Sequence, residues 1–185
     1  MHFNYFLIIL FIAFSSHSFA QDTERHYKDV GLEIQQYPTG FLYGLKLEIG
    51  LKSHHAIDFR LGYNDLDHQD FGVHDSEIGG GFGGSIGYRY YFKPLPKGFF
   101  IGARTDLWFN DIDWEDIVNT DIISGSSSVI VLQPTGIIGY SFLFNDRFVL
   151  TPTLALGAEI NIRTEGEPVG EGAIVLWGLN FLYRF

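Results

Sequence analysis

Apolar residues alternate with polar or small residues along most of the chain after residue 20. The alternation is clearest in residues 172–185, where five apolar side chains share one parity while Asn180 and Arg184 lie on the other. A period of two is typical of a β-strand that buries one face. The same period occurs in eight segments, so the sequence predicts an all-β protein. These segments are residues 30–37, 41–51, 56–63, 81–92, 99–109, 129–144, 147–163 and 172–185.

The connections between these segments favour an antiparallel meander. Short turns with the sequences KSHH, KPLPKG and ND join segments two and three, four and five, and six and seven. At the opposite end we expect longer loops at 64–78, 110–128 and 164–171, with the short PTG turn after the first segment as the exception. Short turns at one end and longer loops at the other are typical of membrane barrels. The pattern predicts an eight-stranded antiparallel up-and-down transmembrane β-barrel, although a soluble β-sandwich would alternate in the same way.

Residues 1–20 have the pattern of a signal peptide. The apolar run Tyr5–Phe14 is too short to span a bilayer as a helix. Ser18 and Ala20 occupy the −3 and −1 positions of a cleavage site, although no Lys or Arg precedes the apolar run. We expect cleavage after Ala20, export, and a barrel domain that comprises residues 21–185.

The composition narrows the possible functions. The chain of 185 residues includes 18 Phe, 10 Tyr and 22 Gly but no Cys, so no disulfide can form. High aromatic content favours strands over helices. The formal net charge is −10, and a nucleic acid partner is not expected because phosphates are bound by Lys and Arg.

The polar parity of the strands would face the interior of a barrel. Small residues predominate there, and charges of both signs are spaced among them. The basic members are Lys46, Arg60, Arg89, Arg104, Arg163 and Arg184, and the acidic members are Glu33, Glu48, Asp58, Asp106 and Glu159. An unpaired buried ion is very costly, so this near-balance predicts lumen ion pairs that plug the barrel. The alternative is a continuous wet path, which would make the protein a narrow porin-like channel for small solutes or ions.

The chain resembles the small outer-membrane β-barrels of Gram-negative bacteria, of the OmpA/OmpX type. The resemblance rests on the signal peptide, the eight amphipathic segments, the alternating turn lengths and the terminal Phe185. It implies a location in the cell outer membrane, and in that family the barrel assembly machinery reads the final strand. By this resemblance, Phe181, Tyr183 and Phe185 form the assembly signal. Outer-membrane lipid, lipopolysaccharide and the assembly machinery are then the expected partners, and the barrel is expected to be a monomer.

The three expected loops contain many acidic residues and no Lys or Arg. Clustered carboxylates are the ligands that Ca²⁺ and Mg²⁺ prefer, so a divalent cation is a possible cofactor at these outer loops. The candidate metal ligands are Asp65, Asp67, Asp70, Asp111, Asp113 and Asp116. Such a cation could also bridge to lipopolysaccharide phosphates. The alternative is a solvated rim of mutually repelling charges, and no other cofactor is expected.

A catalytic site is not expected. A lipid A-modifying outer-membrane enzyme would need a serine and a histidine at the outer rim, for which Ser76 and His74 are candidates. No spacing places a nucleophile beside a base and a third orienting group. The sequence therefore favours a structural or surface-interaction role, with the channel as the alternative and the enzyme as a distant one.

Overall fold

The structure of the chain is a computed structural model that describes residues 27–69, 72–94 and 97–185. Eight strands occur in these ranges. They are β1 (Lys28–Tyr37), β2 (Gly40–Lys52), β3 (His55–Gln69), β4 (Ser76–Tyr91), β5 (Gly98–Val118), β6 (Asp121–Phe144), β7 (Phe148–Glu165) and β8 (Gly172–Arg184). The predicted signal peptide and the start of the barrel domain at residue 21 lie outside the described residues. Within the described ranges, no helix is both long enough and apolar enough to cross a membrane.

Consecutive strands pair antiparallel around the whole ring, and β1 pairs with β8 to close it. The closing seam runs from Asp29 opposite Arg184 to Gln36 opposite Trp177. Closure pairs every strand of the wall on both sides, which is the condition for crossing lipid with strands. The predicted eight-stranded antiparallel up-and-down barrel is confirmed. We name the end near Arg184 the inner end and the opposite end the outer end.

Two of the three expected outer loops are mostly strand. β3 continues to Gln69 and β4 begins at Ser76, so that only residues 70–75 separate them. β5 and β6 meet at a turn of Asn119 and Thr120, both of which have positive φ. The expectation of long loops at these two connections was wrong. These residues lie between the segments that have an apolar outward face, but hydrogen bonds between neighbouring strands also hold exposed polar residues in an extended conformation.

The outer wall of the barrel is apolar. Large side chains on the outward parity are exposed in the isolated chain, as at Leu45 (65%), Leu61 (73%), Phe82 (73%) and Leu156 (58%). A continuous apolar surface of this kind is unfavourable in water and is suited to contact with lipid. The inward parity, by contrast, contains the buried charged residues.

Candidate functional site

The centre of the lumen is a network of buried charges built around Glu33 of β1. Its carboxylate contacts Lys46 Nζ at 3.5 Å, Arg60 Nη1 at 3.4 Å and Arg104 Nη1 at 3.2 Å. Lys46 also contacts Asp58 at 2.8 Å. All five residues are at most 2% exposed. Alternation along each strand directs them inward, and the network therefore joins strands that are distant in sequence.

The two arginines at the centre share the same acceptors. Arg60 Nη1 and Arg104 Nη2 each donate to Gln35 Oε1 at 2.6 Å. Both guanidinium groups also contact the carboxylate of Asp106, Arg60 through Nη2 and Arg104 through Nε. Two buried like charges require anions around them, and Glu33 and Asp106 supply these anions.

The network continues toward the inner end through Arg89. Its guanidinium contacts Asp58 at 3.2 Å and Glu48 at 2.8 Å. Glu48 also accepts hydrogen bonds from the hydroxyl groups of Tyr27 and Tyr91 at 2.7 and 2.8 Å. The charges are thus linked without interruption from the centre of the lumen to the tyrosines near its inner end.

The ion-paired charges of the described lumen balance. At the inner end, Arg184 donates to Asp29 through Nε and Nη2, at 2.8 and 2.6 Å. Five cations then face five carboxylates, namely Lys46, Arg60, Arg89, Arg104 and Arg184 against Asp29, Glu33, Glu48, Asp58 and Asp106. Sequence reasoning missed Asp29, which precedes the first residue of the weakest predicted strand. Its parity relative to Val30 was the available indication.

Apolar side chains fill the lumen on the outer side of the charges. They are Leu42, Leu66, Trp108, Ile112, Val129, Val131, Ile174 and Leu176, each at most 5% exposed. Trp108 lies against Gly83, where an added Cβ would be 2.4 Å from the indole Cε3 atom. Sequence reasoning missed this apolar layer because it assigned one apolar and one polar face to every strand. These residues are apolar but lie on the inward parity.

One residue predicted for the lumen pairs lies outside the lumen. The Arg163 side chain is 66% exposed and pairs with Glu165. A β-bulge is the cause: Ile130 pairs with Arg163 but Val131 pairs with Asn161, so β7 contains one extra residue. An extra residue reverses the inward and outward parity of everything beyond it. The prediction of a lumen ion pair at Arg163 was therefore wrong.

Glu159 forms no ion pair within the described residues, so that prediction was also wrong. Its carboxylate accepts a hydrogen bond from Gln133 Nε2 at 3.0 Å. The Gln133 amide oxygen in turn lies 3.4 Å from Trp108 Nε1, which donates to it. Glu159 thus lies in the outer part of the lumen, where an amide rather than a cation is its neighbour.

Residues 72–75, which precede β4, and residues 166–171, which join β7 to β8, meet at Glu77 over the outer mouth of the barrel. Its carboxylate accepts hydrogen bonds from the backbone N–H groups of Val73 (2.9 Å), His74 (3.3 Å) and Gly170 (3.1 Å). His68 Nδ1 lies 3.3 Å from the same carboxylate. Glu77 is fully buried, and a buried carboxylate needs such donors in place of water. Glu77 therefore holds both connections against the mouth.

His74 fastens the β3–β4 connection to its neighbours. Its ring stacks on Trp114 with centroids 4.2 Å apart, Nδ1 lies 2.9 Å from Asp116 Oδ2, and Nε2 lies 3.0 Å from the carbonyl oxygen of Pro168. Both nitrogens face acceptors, so both bonds form only when the imidazole is protonated. Burial is the largest single effect and lowers the pKa of His74. The hydrogen bond to Asp116, the charge of Asp116, the Pro168 carbonyl and the charge of Glu77 together outweigh burial, so the pKa is raised. The same hydrogen bond lowers the pKa of Asp116.

The candidate metal ligands lie on strands rather than in loops. Asp65 and Asp67 belong to β3, Asp111, Asp113 and Asp116 belong to β5, and Asp70 lies outside the described residues. Asp65 and Asp111 lie opposite Gly80 of β4 in one outward-facing row. Among the described residues, no group of three or more His, Cys, Asp or Glu is arranged to hold a metal ion. Divalent-cation binding at the outer rim stays a prediction.

The aromatic residues at the end of β8 lie on the outer wall near the inner end. Phe181 is 49% exposed and Phe185 is 80% exposed. Tyr183 packs edge-on against Phe148 and Phe185, with centroids 5.4 and 5.1 Å apart. Arg147 donates to the Tyr183 hydroxyl at 3.2 Å. The final strand thus presents an accessible aromatic row, and its role as an assembly signal stays a prediction.

Solved structures similar to this chain are outer-membrane barrels. One is the N-terminal β-barrel domain of OprF from Pseudomonas aeruginosa, with a TM-score of 0.50, 14% identity, and coverage of 88% of this chain and 100% of that chain. Another is the Neisserial surface protein A, with a TM-score of 0.51, 12% identity, and coverage of 86% and 95%. No family model and no curated protein sequence matches the chain.

At these identities the likeness shows the fold. This fold is that of the small eight-stranded outer-membrane β-barrels of Gram-negative bacteria, and the resemblance drawn from the sequence is confirmed. The outer membrane, expected from the sequence, is the location of the structural neighbours and fits the apolar outer wall.

Proposed function

We propose that this protein is a closed outer-membrane barrel with a structural or surface-interaction role. The observation that carries the proposal is the filled lumen, in which a balanced ion-pair network lies beside an apolar layer. Ions and polar solutes need a continuous polar path, and the buried apolar side chains interrupt it. The outer surface is then the part of the protein available for an interaction.

A narrow channel for small solutes or ions is the alternative. Thr135, Thr153 and Gln133 are buried polar residues that lie on β6 and β7 beside the charge network. They could line a polar path if the network rearranged. Such a path would also have to pass the apolar layer around Trp108 and Leu176, which makes the closed lumen the better-supported reading.

Ion conductance of the refolded mature chain in a planar bilayer tests the proposal. Insertion is first established by the resistance of the lipid-embedded strands to protease. We then expect no steady, discrete openings. Steady openings would overturn the closed lumen in favour of the channel, and Arg60→Ala or Arg104→Ala should then change the current, whereas Asp113→Asn on the outer rim serves as the matched control.

A lipid A-modifying enzyme is the distant alternative, and the geometry of His74 speaks against it. Both of its ring nitrogens contact acceptors, in Asp116 and Pro168, so neither is free to act as a base toward Ser76. We expect the mass of lipid A to be unchanged after incubation with the folded barrel. A mass change that Ser76→Ala and His74→Ala both abolish would contradict this expectation.

We also propose a monomeric barrel, surrounded by outer-membrane lipid and lipopolysaccharide, whose final strand is read by the barrel assembly machinery. The exposed aromatic row at Phe181, Tyr183 and Phe185 supports this role. Phe185→Ala is expected to lower the amount of assembled barrel in the membrane. Phe148→Ala is the control, because it removes an outward aromatic residue of the same rim from a different strand. Equal assembly of both variants would contradict the proposal.

A further inference from the structure

The β5–β6 hairpin extends beyond the other strands at the outer end. Its pairs run from Asp111 opposite Ser128 to Val118 opposite Asp121. At the rise of a β-strand this segment is about 25 Å long. Neighbouring strands cover only part of it, and its two edges differ.

The chain itself covers the β5 edge of the hairpin. The last β4 partner of β5 is Ser76, which lies opposite Glu115. Beyond that point the Asp75 carboxylate accepts a hydrogen bond from the Ile117 N–H at 2.8 Å, and the Asp75 N–H donates to Asp116 at 3.1 Å. The Ile117 N–H thus has a partner where no strand lies beside β5, and this contact protects the β5 edge from pairing with another chain.

The β6 edge is open. Pairing of β6 with β7 ends where Ser128 lies opposite Glu165. Ser127 Oγ donates to the Glu167 carbonyl oxygen, and Gly166 lies against the carbonyl oxygen of Ser126. No strand in the described part of the chain pairs with β6 across residues 121–126. Their sequence, DIISGS, contains no Lys and no Pro, and its pairing with β5 is free of bulges. Lys, Pro and β-bulges are among the usual means by which an exposed edge is protected from pairing, and this edge has none of the three.

The tip of the hairpin is apolar on both faces. Ile117 and Ile122 pair across the strands on one face and are 67% and 69% exposed, while Val118 and Ile123 on the other face are 47% and 51% exposed. The exposed acids Asp111, Asp113 and Glu115 lie on β5 between this tip and the apolar wall of the barrel. Lipid contact within the membrane therefore does not account for these side chains.

We propose that the open edge of β6 at residues 121–126 binds an extended basic segment of another polypeptide as an added β-strand. Backbone hydrogen bonds to the edge would supply affinity, and alternate side chains of the segment would cover Ile122 and Ile123. The inference rests on the surface role proposed above. It names the chemistry of the partner for that role.

Charge selects the occupant of the edge. The hairpin contains the acids Asp111, Asp113, Glu115, Asp116 and Asp121, and the chain contains no Lys or Arg between Arg104 and Arg147. A second copy of the chain would bring two acidic hairpins side by side, and like charges on neighbouring strands are destabilising. A basic segment gains both the strand pairing and the charge complementarity.

The first test uses a synthetic peptide of alternating Lys and Val with the barrel in nanodiscs of zwitterionic lipid. The matched control is the same peptide N-methylated at every second residue, which keeps the charge and side chains but removes the donors on one edge. We expect the unmodified peptide to bind, and methylation to weaken binding by about tenfold through the lost hydrogen bonds. Amide NMR shifts should concentrate at residues 121–126. Equal binding of both peptides would overturn the proposal.

The second test separates edge binding from general attraction to acidic residues. Asp121→Asn, at the first residue of the edge, should weaken binding of the Lys–Val peptide. Asp65→Asn removes an acid from the same rim on β3 and should leave binding unchanged. Ser124→Pro should weaken binding as N-methylation does, with an unaltered Trp114 emission spectrum as evidence that the hairpin remains folded. Equal effects of the two Asp variants would overturn the proposed occupant. So would a concentration-dependent dimer that Ser124→Pro abolishes.

Failure of this inference is distinguishable from failure of the proposed function. If the barrel conducts no ions and does not bind the Lys–Val peptide, the closed lumen is supported and the basic strand is excluded as its partner. A conducting barrel overturns the closed lumen whatever the peptide does. The two measurements use the same folded protein: conductance reports on the lumen, and peptide binding reports on the outer hairpin.

Discussion

Carboxylates in the lumen and on the outer hairpin have opposite surroundings. Glu33 contacts three cations and is only 1% exposed. On the hairpin, Asp111 and Asp113 face solvent, and the stretch of chain that contains them has no Lys or Arg between residues 104 and 147. A carboxylate thus has a fixed set of cationic partners in the lumen and an excess of like charge around it on the hairpin.

The difference follows from the solvent that each region meets. A charge removed from water loses several kcal/mol of solvation, so the ion-paired network in the lumen holds equal numbers of cations and carboxylates. At the outer rim, water and salt screen repulsion over about 8–10 Å, so an excess of acid is tolerated there. The net charge of −10 consequently resides outside the ion-paired lumen. Lumen charges should therefore determine stability, and rim charges should determine what approaches the surface.

Glu33→Gln should have the largest effect on stability. It leaves Lys46, Arg60 and Arg104 buried with one carboxylate fewer, and an uncompensated buried charge costs about 3–5 kcal/mol. The free energy of unfolding is measured by urea titration of the barrel in lipid vesicles. Asp113→Asn removes the same charge from the rim and should change stability by at most about 0.5 kcal/mol. Similar losses for the two variants would show that the lumen network is not held as the contacts indicate.

Leu176→Ala in the apolar layer should have the next largest effect. Its side chain is fully buried, so truncation removes transfer energy and leaves a cavity, for a loss of about 3 kcal/mol. Leu156 lies on the neighbouring strand β7 and is 58% exposed on the outer wall. Leu156→Ala should lose only the transfer contribution, because lipid can fill the space. Equal losses in the same urea titration would mean that the layer around Leu176 is loosely packed.

The parity of the strands was predictable from the sequence, and most of the lumen network followed from it. Lys46, Asp58, Arg60 and Arg104 lie on segments whose alternation is unbroken, so their direction could be read directly. Arg163 could not be placed in this way. The β-bulge before it changes the parity through hydrogen-bond register, and periodicity contains no information about register.

The apolar layer and the outer hairpin were beyond prediction for a different reason. Leu42 and Leu176 are apolar on the inward parity, and composition alone does not tell an apolar lumen position from a lipid-facing one. The sequence predicts a loop at residues 110–128 because they lie between two segments that have an apolar outward face. Their extended conformation depends on pairing between β5 and β6, which is a property of two segments and not of either sequence alone.

The contacts of His74 with Asp116 and Pro168 at the outer mouth should depend on pH. Their effect on stability should be smaller than that of the lumen variants. The raised pKa of His74 means that its contribution to stability is present below the ordinary histidine value of about 6.5 and is lost as pH rises through the folded pKa. The lowered pKa of Asp116 confines the opposite loss to acidic pH. A protonated imidazole quenches a stacked indole, so Trp114 fluorescence should rise as His74 loses its proton. His74→Gln should abolish this rise, and a rise that persists would assign it to another group.

Arg163→Ala should have the smallest effect and tests the assignment of this residue to the outside of the barrel. Arg163 and Glu165 form a pair that is about two-thirds exposed on both sides, and exposed pairs contribute at most about 1 kcal/mol. Arg89→Ala, by contrast, removes a buried cation that contacts Glu48 and Asp58 and should cost about 3–5 kcal/mol. A loss for Arg163→Ala that approached the loss for Arg89→Ala would place its side chain in the lumen, and the β-bulge in β7 would then have to lie elsewhere. A loss of a few tenths of a kcal/mol or less agrees with an outward arginine whose only described partner is a neighbouring exposed carboxylate.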